Sequence, residues 1–173
     1  MISRIDSAAE RATEPLRNNR VTNKIFGTAS HVGDFSVVWH AIGLLRAIGS
    51  MDRLYEALAL SIALGCESLI VNQGIKRIFR RERPTVNGDE RFNVRRPRTS
   101  SFPSGHASSA TFAAILLTSF SSGPIIIVWW TIAAIVAVSR IVVRIHHASD
   151  ILGGIVTGAA LGVIALPIVN AFL

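Results

Sequence analysis

Between Ala107 and Ser139 the chain carries no Asp, Glu, Lys or Arg, and the same is true from Ile151 to Leu173. Uncharged runs of this length do not suit the surface of a water-soluble domain. At about 1.5 Å rise per residue they are long enough to cross a bilayer as helices. The rest of the composition agrees: of 173 residues, 50% are hydrophobic and 17% are charged, against roughly 25% charged in soluble domains. The length suits one domain spanning 1–173.

Charge is unevenly placed. Residues 76–98 contain nine basic and three acidic side chains, a net +6 out of +7 for the whole chain. Concentration in one segment indicates a local anion site or a membrane-flanking loop and argues against nucleic acid as a partner. The single cysteine, Cys66, excludes an intramolecular disulfide and a cysteine zinc cluster. The first 20 residues lack the charged-then-apolar order of a signal peptide, so targeting falls to the internal apolar spans.

Residues 1–24 read as an N-terminal interfacial helix, with Ile5, Ala9, Ala12 and Leu16 on one face. Such a helix is either solvated or lies on the membrane surface. The first apolar stretch, roughly 32–50, carries Asp34 and Arg46, and Arg46 is expected to snorkel. The second, about 54–75, contains Glu67, which should face other helices or water as a hydrogen-bonding group or a catalytic one. Gly123-Pro124 divides the run after Ala107 into two helices, and the last stretch is Ile151–Leu173. The expected fold is all-α: a polytopic membrane helical bundle of about five transmembrane helices plus the N-terminal amphipathic helix. This topology puts 76–106 and 140–150 on one face. The basic excess there, with five basic residues in 1–24, assigns that face to the cytoplasm.

Three polar clusters interrupt the apolar pattern. In Lys76-Arg77-Ile78-Phe79-Arg80-Arg81-Glu82-Arg83-Pro84, a helix would align Lys76, Arg80 and Arg83 on one face, up to the break that Pro84 imposes. Such cations suit a phosphate or anionic headgroups. In Ser101-Phe102-Pro103-Ser104-Gly105-His106, Ser104 can cap the following helix and Gly105 allows close backbone approach. The helix N-terminus would then attract an anion beside His106, a possible proton donor. In the third cluster, from Ser139-Arg140 to Asp150, a helix would stack His146 on Asp150 at i, i+4. The carboxylate would fix the tautomer and free the other ring nitrogen. Spacing alone leaves His147 as a competitor for that role.

Together the clusters read K-x6-RP, PSGH and SR-x5-H-x3-D, in order and with every fixed position filled. This pattern resembles the type 2 phosphatidic acid phosphatase (PAP2) superfamily, with the motifs covering 76–150. The resemblance implies that His146 is the nucleophile, forming a phosphohistidine, and that Asp150 orients it. It implies that His106 protonates the leaving group and then activates water, and that Lys76, Arg83, Arg140, Ser104 and Gly105 bind the phosphoryl oxygens. It also favours His146 over His147. Three fixed cations can supply the charge that a metal supplies elsewhere, so the expected hydrolysis needs no metal or other cofactor. Neutral His146 and protonated His106 together predict a bell-shaped pH profile.

The expected substrate is a lipid phosphate monoester or diphosphate in a bacterial cell membrane. A polyprenyl-linked phosphate is preferred, such as undecaprenyl diphosphate or decaprenylphosphoryl-phosphoribose phosphate; phosphatidic acid and phosphatidylglycerol phosphate are the alternatives. Arg91, Arg95, Arg96 and Arg98 are expected to meet a second phosphate or lipid headgroups. A vanadium-dependent haloperoxidase shares the motifs, but the uncharged runs argue against it, and halide oxidation with vanadate would reveal it. A non-enzymatic membrane role would leave the two histidines and Asp150 unexplained.

Overall fold

The structure is a computed structural model that describes residues 2–85, 89, 91–95, 97 and 99–173. Seven helices are described: α1 Ile2–Arg17, α2 Arg20–Val32, α3 Val37–Ala47, α4 Met51–Ile78, α5 Gly105–Ser119, α6 Ile125–Val142 and α7 Ala148–Ala171. Three of them, α4, α6 and α7, are long and apolar enough to cross a membrane.

The first apolar stretch does not form one long helix. Phe35 and Ser36 take left-handed backbone angles (φ +53° and +60°) and Gly49 ends the stretch (φ +77°). What remains is the 11-residue α3, about 16 Å long and roughly half the depth of a hydrocarbon core. Arg46 pairs with Glu56 at 3.0 Å and donates to the Phe120 carbonyl at 2.6 Å, at the end of the bundle opposite the motifs.

The third stretch, α5, is 15 residues, about 22 Å. It has no polar stripe facing solvent because it is the central helix, buried from Ala107 to Ala114. Trp39 of α3, Leu60 and Leu64 of α4, Phe112 and Leu116 of α5 and Trp129 of α6 share one core. The turn predicted at Gly123-Pro124 is present, with Gly123 at φ +73°.

Helix α7 closes on α5 through Gly154, Gly158 and Gly162, spaced one turn apart. A Cβ on Gly154 would meet Ala107 Cβ at 2.9 Å, one on Gly158 would press on the Ser108 backbone, and one on Gly162 would meet Ile115 at 2.9 Å. Small residues at this spacing let two backbones approach closely.

Helix α1 is tied to the bundle by its last residue. Arg17 is fully buried, and its guanidinium donates to the carbonyls of Val142 (2.9 Å) and Ile141 (3.2 Å) at the end of α6. A cation at a helix C-terminus satisfies carbonyls that lack intrahelical partners. The helix foreseen over 1–24 is therefore two: α1 ends at Arg17, and Asn19 caps α2 through the N–H groups of Val21 and Thr22.

Candidate active site

Alternating helix direction brings the three motifs to one end of the bundle. Lys76 lies in the last turn of α4, Ser104 caps α5 and His106 is in its first turn, Arg140 lies near the end of α6, His146 precedes α7 and Asp150 is in its first turn. Local structure then aims each side chain.

The last turns of α4 widen into a π-turn over Ile70–Ile75, immediately before Lys76. Such turns re-aim side chains and frequently mark functional sites. Lys76 is buried, and a Cβ on Gly105 would lie 3.3 Å from its Nζ. Glycine at 105 thus lets an ammonium approach the first turn of α5. Ser104 is the N-cap of α5 and accepts from Ala107 N–H at 3.4 Å; its own N–H donates to the Asp150 carbonyl at 3.0 Å.

The predicted helical stripe of Lys76, Arg80 and Arg83 does not form. The helix stops at Ile78 because Phe79 turns extended (φ −100°, ψ 133°) and packs edge-to-face on Phe102 at 4.8 Å. Arg81 then pairs with the chain near 100: its carbonyl accepts from Ser101 N–H at 2.9 Å, and its N–H donates to Ser100 Oγ at 3.1 Å. Arg80 is left exposed, while Arg83 reaches His146.

His146 and Asp150 do not share a helix. His146 lies in the turn before α7, and Arg144 (φ +57°) reverses the chain so that the N–H groups of Ile145 and His146 both donate to the Arg140 carbonyl at 3.1 Å. This turn gives the five-residue gap between Arg140 and His146 its physical meaning. His146 Nδ1 lies 3.6 Å from Asp150 Oδ2, and its Nε2 lies 3.2 Å from Arg83 Nη1. A donor at Nε2 and a carboxylate at Nδ1 fit the neutral tautomer protonated on Nδ1, with the Nε2 lone pair outward. His147 offers its backbone N–H to Asp150 Oδ2 at 2.8 Å.

Asp150 is fully buried and takes two further partners that spacing did not reveal: Ser101 Oγ donates to Oδ2 at 2.6 Å and Arg81 Nη1 to Oδ1 at 2.6 Å. Arg81 also bonds Asp6 of α1 at 2.7 Å, and Asp6 accepts from both N–H and Oγ of Ser149 at 2.9 Å. Ser101 stood beside the second motif. Asp6 gave no signal, because its pairing is purely tertiary.

Arg140, 1% exposed, bonds Ser30, and His106 Nε2 lies 3.1 Å from Asp34. The Nε of Arg83 and the Nε and Nη2 of Arg140 are buried without an acceptor among the described residues. Buried donors of this kind are costly unless they serve an anion. Glu67 is buried and accepts from Ser108 Oγ, so it ties α4 to α5. In the basic loop, Arg91 is committed to Asp89 (2.6 Å) and Glu14 (3.0 Å), and Arg95 lies 4.5 Å over the Phe35 ring. Gly88, Glu90, Arg96 and Arg98 lie outside the described residues.

Burial, reinforced by Arg140, Arg83 and Lys76 and opposed by Asp150, holds the His146 imidazole well below its ordinary 6.5. The ring is therefore neutral and nucleophilic at neutral pH. The acid limb of a kcat/KM profile is expected well below pH 6.5, since protonating His146 is what removes the nucleophile there. A pH titration checks this, and an acid limb at or above 6.5 would exclude His146 as its source.

A family model described as the PAP2 superfamily matches residues 54–173. The decaprenylphosphoryl-5-phosphoribose phosphatase of Mycobacterium tuberculosis (strain ATCC 25618 / H37Rv) is 35% identical over 135 residues, 78% of this chain and 73% of that protein. The protein of the same name from Mycolicibacterium smegmatis is 35% identical over 127 residues, 72% of this chain and 67% of that protein. Among solved structures, a transmembrane PAP2 type phosphatidylglycerolphosphate phosphatase from Bacillus subtilis is similar with a TM-score of 0.72 at 19% identity, covering 98% of this chain and 87% of that one. Aquifex aeolicus LpxE is similar with a TM-score of 0.70 at 20% identity, covering 91% of this chain and 93% of that one. The residue pattern, the helical fold and these relatives agree, and the chain belongs to the PAP2 superfamily as a membrane-embedded phosphoric ester hydrolase.

Proposed function

We propose that this enzyme removes the terminal phosphate from a polyprenyl-linked sugar phosphate at the surface of a bacterial cell membrane, with 1–173 acting as one catalytic unit. The observation that carries the substrate class is a pair of cavities that both have Glu67 in their walls. One, of about 320 Å³, has a mixed lining and adjoins His106, with Asn72, Gln73, Ser109 and Arg95 as well as Phe35 and Leu69 in its wall. The other, of about 600 Å³, is an apolar groove with Ile62, Phe112, Ile164 and Ile168 in its wall. Ile62 and Ile164 are exposed on the bundle's outer face. A leaving group that is a sugar near the phosphate and an isoprenoid farther away matches that sequence of surfaces. The named activity of the mycobacterial relatives supports the same class.

In this reading the phosphoryl oxygens take the unpaired N–H groups of Arg83 and Arg140, with Lys76 Nζ, Ser104 and the Gly105 N–H. His146 Nε2 attacks phosphorus while the P–O bond to the leaving alcohol breaks, and His106 gives that oxygen a proton. Asp150 holds Nδ1–H of His146 and stabilises the charge that forms on the ring. Water then attacks the phosphohistidine, His106 takes its proton, the P–N bond breaks and inorganic phosphate leaves. The cations offset charge on the equatorial oxygens, so no metal is required. The basic excess at this end of the bundle supports the cytoplasmic face for the site.

The test is phosphate release by detergent-purified enzyme in EDTA. The panel is a polyprenyl-phosphoryl sugar phosphate, a polyprenyl diphosphate, phosphatidic acid and phosphatidylglycerol phosphate. Release is expected to be fastest from the sugar phosphate and unchanged by EDTA. Preference for a glycerolipid phosphate would overturn the substrate reading, and a strict need for added Mg²⁺ would overturn the metal-free one.

A further inference from the structure

We infer that Asp34 is the positioning residue for His106, so that the site contains two histidine–carboxylate pairs. The inference rests on the acid–base role proposed for His106. Asp34 lies outside the three motifs and before the residues 54–173 that the family model matches.

The geometry is specific. Asp34 is buried, and its Oδ1 lies 3.1 Å from His106 Nε2; the Ser30 carbonyl lies 3.2 Å from the same nitrogen. Both partners are acceptors, so Nε2 carries a hydrogen and Nδ1 is the nitrogen left to exchange a proton. A Cβ on Gly33 would stand 2.7 Å from His106 Cδ2, so glycine at 33 lets the ring lie flat against the chain that bears Asp34. Ser30 adds a link, because its hydroxyl accepts from Arg140 while its carbonyl faces His106.

The backbone is bent to achieve this. Phe35 and Ser36 are consecutive non-glycine residues in the left-handed region, a conformation that residues with a side chain rarely adopt. The reversal leaves Asp34 buried and Phe35 74% exposed beneath Arg95. Strain of this kind persists where surrounding contacts require it, and here the contacts are those of His106.

Burial and the neighbouring Arg140 hold the His106 imidazole down at about 4, and Asp34 and the Ser30 carbonyl oppose that shift, so the carboxylate would keep the ring oriented and favour the imidazolium form that the first step needs. In the first step that form gives its Nδ1 proton to the leaving oxygen as the P–O bond breaks and the His146 N–P bond forms. In the second step Nδ1 accepts a proton from water as the new P–O bond forms and the P–N bond breaks. Asp34 touches neither phosphorus nor the leaving group.

Leaving-group dependence separates this role from a structural one. p-Nitrophenolate departs without protonation, whereas the dodecyl alkoxide of dodecyl phosphate does not. With Asp34→Asn and p-nitrophenyl phosphate, rapid mixing is expected to show a burst of about one nitrophenolate per chain at the parent's rate, followed by turnover slowed about 100-fold. With dodecyl phosphate the same variant should show no burst and at least that loss of turnover. The burst counts correctly folded sites, so a damaged fold would lower its amplitude; Asp34→Ala provides a second variant. Parent-like turnover of dodecyl phosphate, or equal losses on both substrates with no burst, would overturn the inference. His106→Asn run alongside separates the two readings. A burst in that variant but not in the Asp34 variants refutes Asp34 alone, while parent-like turnover in His106→Asn refutes the role of His106 itself.

Discussion

His146→Ala is expected to lower phosphate release on the order of 10⁴-fold or more, the scale seen when one member of a cooperating catalytic set is removed. The expectation follows from placement as well as chemistry. His146 is 2% exposed, with Asp150 on one ring nitrogen and Arg83 on the other. Water entering the space left by the ring would lack a covalent intermediate and an oriented base. The fold should tolerate the change, since Asp150 keeps Ser101, Arg81 and the His147 N–H as partners. The checks are phosphate release, size-exclusion behaviour, and trapping of an acid-labile phosphoenzyme, which the parent should form and the variant should not. His147→Ala should keep most activity, because His147 serves Asp150 through its backbone. A variant at 146 that retained more than a few per cent of activity would transfer the nucleophile's role elsewhere.

How much of this site could be read beforehand depended on how each residue is held. Arg140, His106, His146 and Asp150 were legible because polar groups stand out at the ends of uncharged runs, and alternating helices bring such ends together. The helical stripe through Arg80 was misread because Phe79 leaves the helix to meet Phe102 and Arg81 pairs with residues near 100. No local rule encodes those contacts. The first apolar stretch looked like a span because hydropathy does not register the left-handed Phe35 and Ser36. Ser30 reaches His106 across 76 residues of sequence, and Asp6 reaches Ser149 across 143; only the packed bundle brings such pairs together. The glycine ladder on α7 was not read from the sequence, although Gly154, Gly158 and Gly162 stand one turn apart, the spacing of small residues that allows close helix contact.

That ladder carries the other large effect. Gly158→Leu is expected to prevent assembly of the native bundle. A Cβ at 158 would lie 2.9 Å from the carbonyl carbon and Cα of Ser108, and backbone cannot rotate aside as a long side chain can. Overpacking a tight core costs about 1–3 kcal/mol where side chains give way, and more where they do not. Separating α5 from α7 would also reach the chemistry, because one turn earlier Ser104 N–H is bonded to the Asp150 carbonyl at 3.0 Å. Ser108 itself holds Glu67, so a displaced α5 would strand a buried carboxylate without its hydroxyl partner. Gly158→Ala should show the graded form of the effect: a folded enzyme with a lower thermal midpoint and reduced kcat. Gly65, whose Cβ would meet nothing within 4 Å, provides the control, and Gly65→Ala should leave both quantities near the parent's. Thermal unfolding in detergent with parallel phosphate release decides the matter. If Gly158→Ala matched Gly65→Ala in both, the close approach of α5 and α7 would not be what sets the spacing between Ser104 and Asp150.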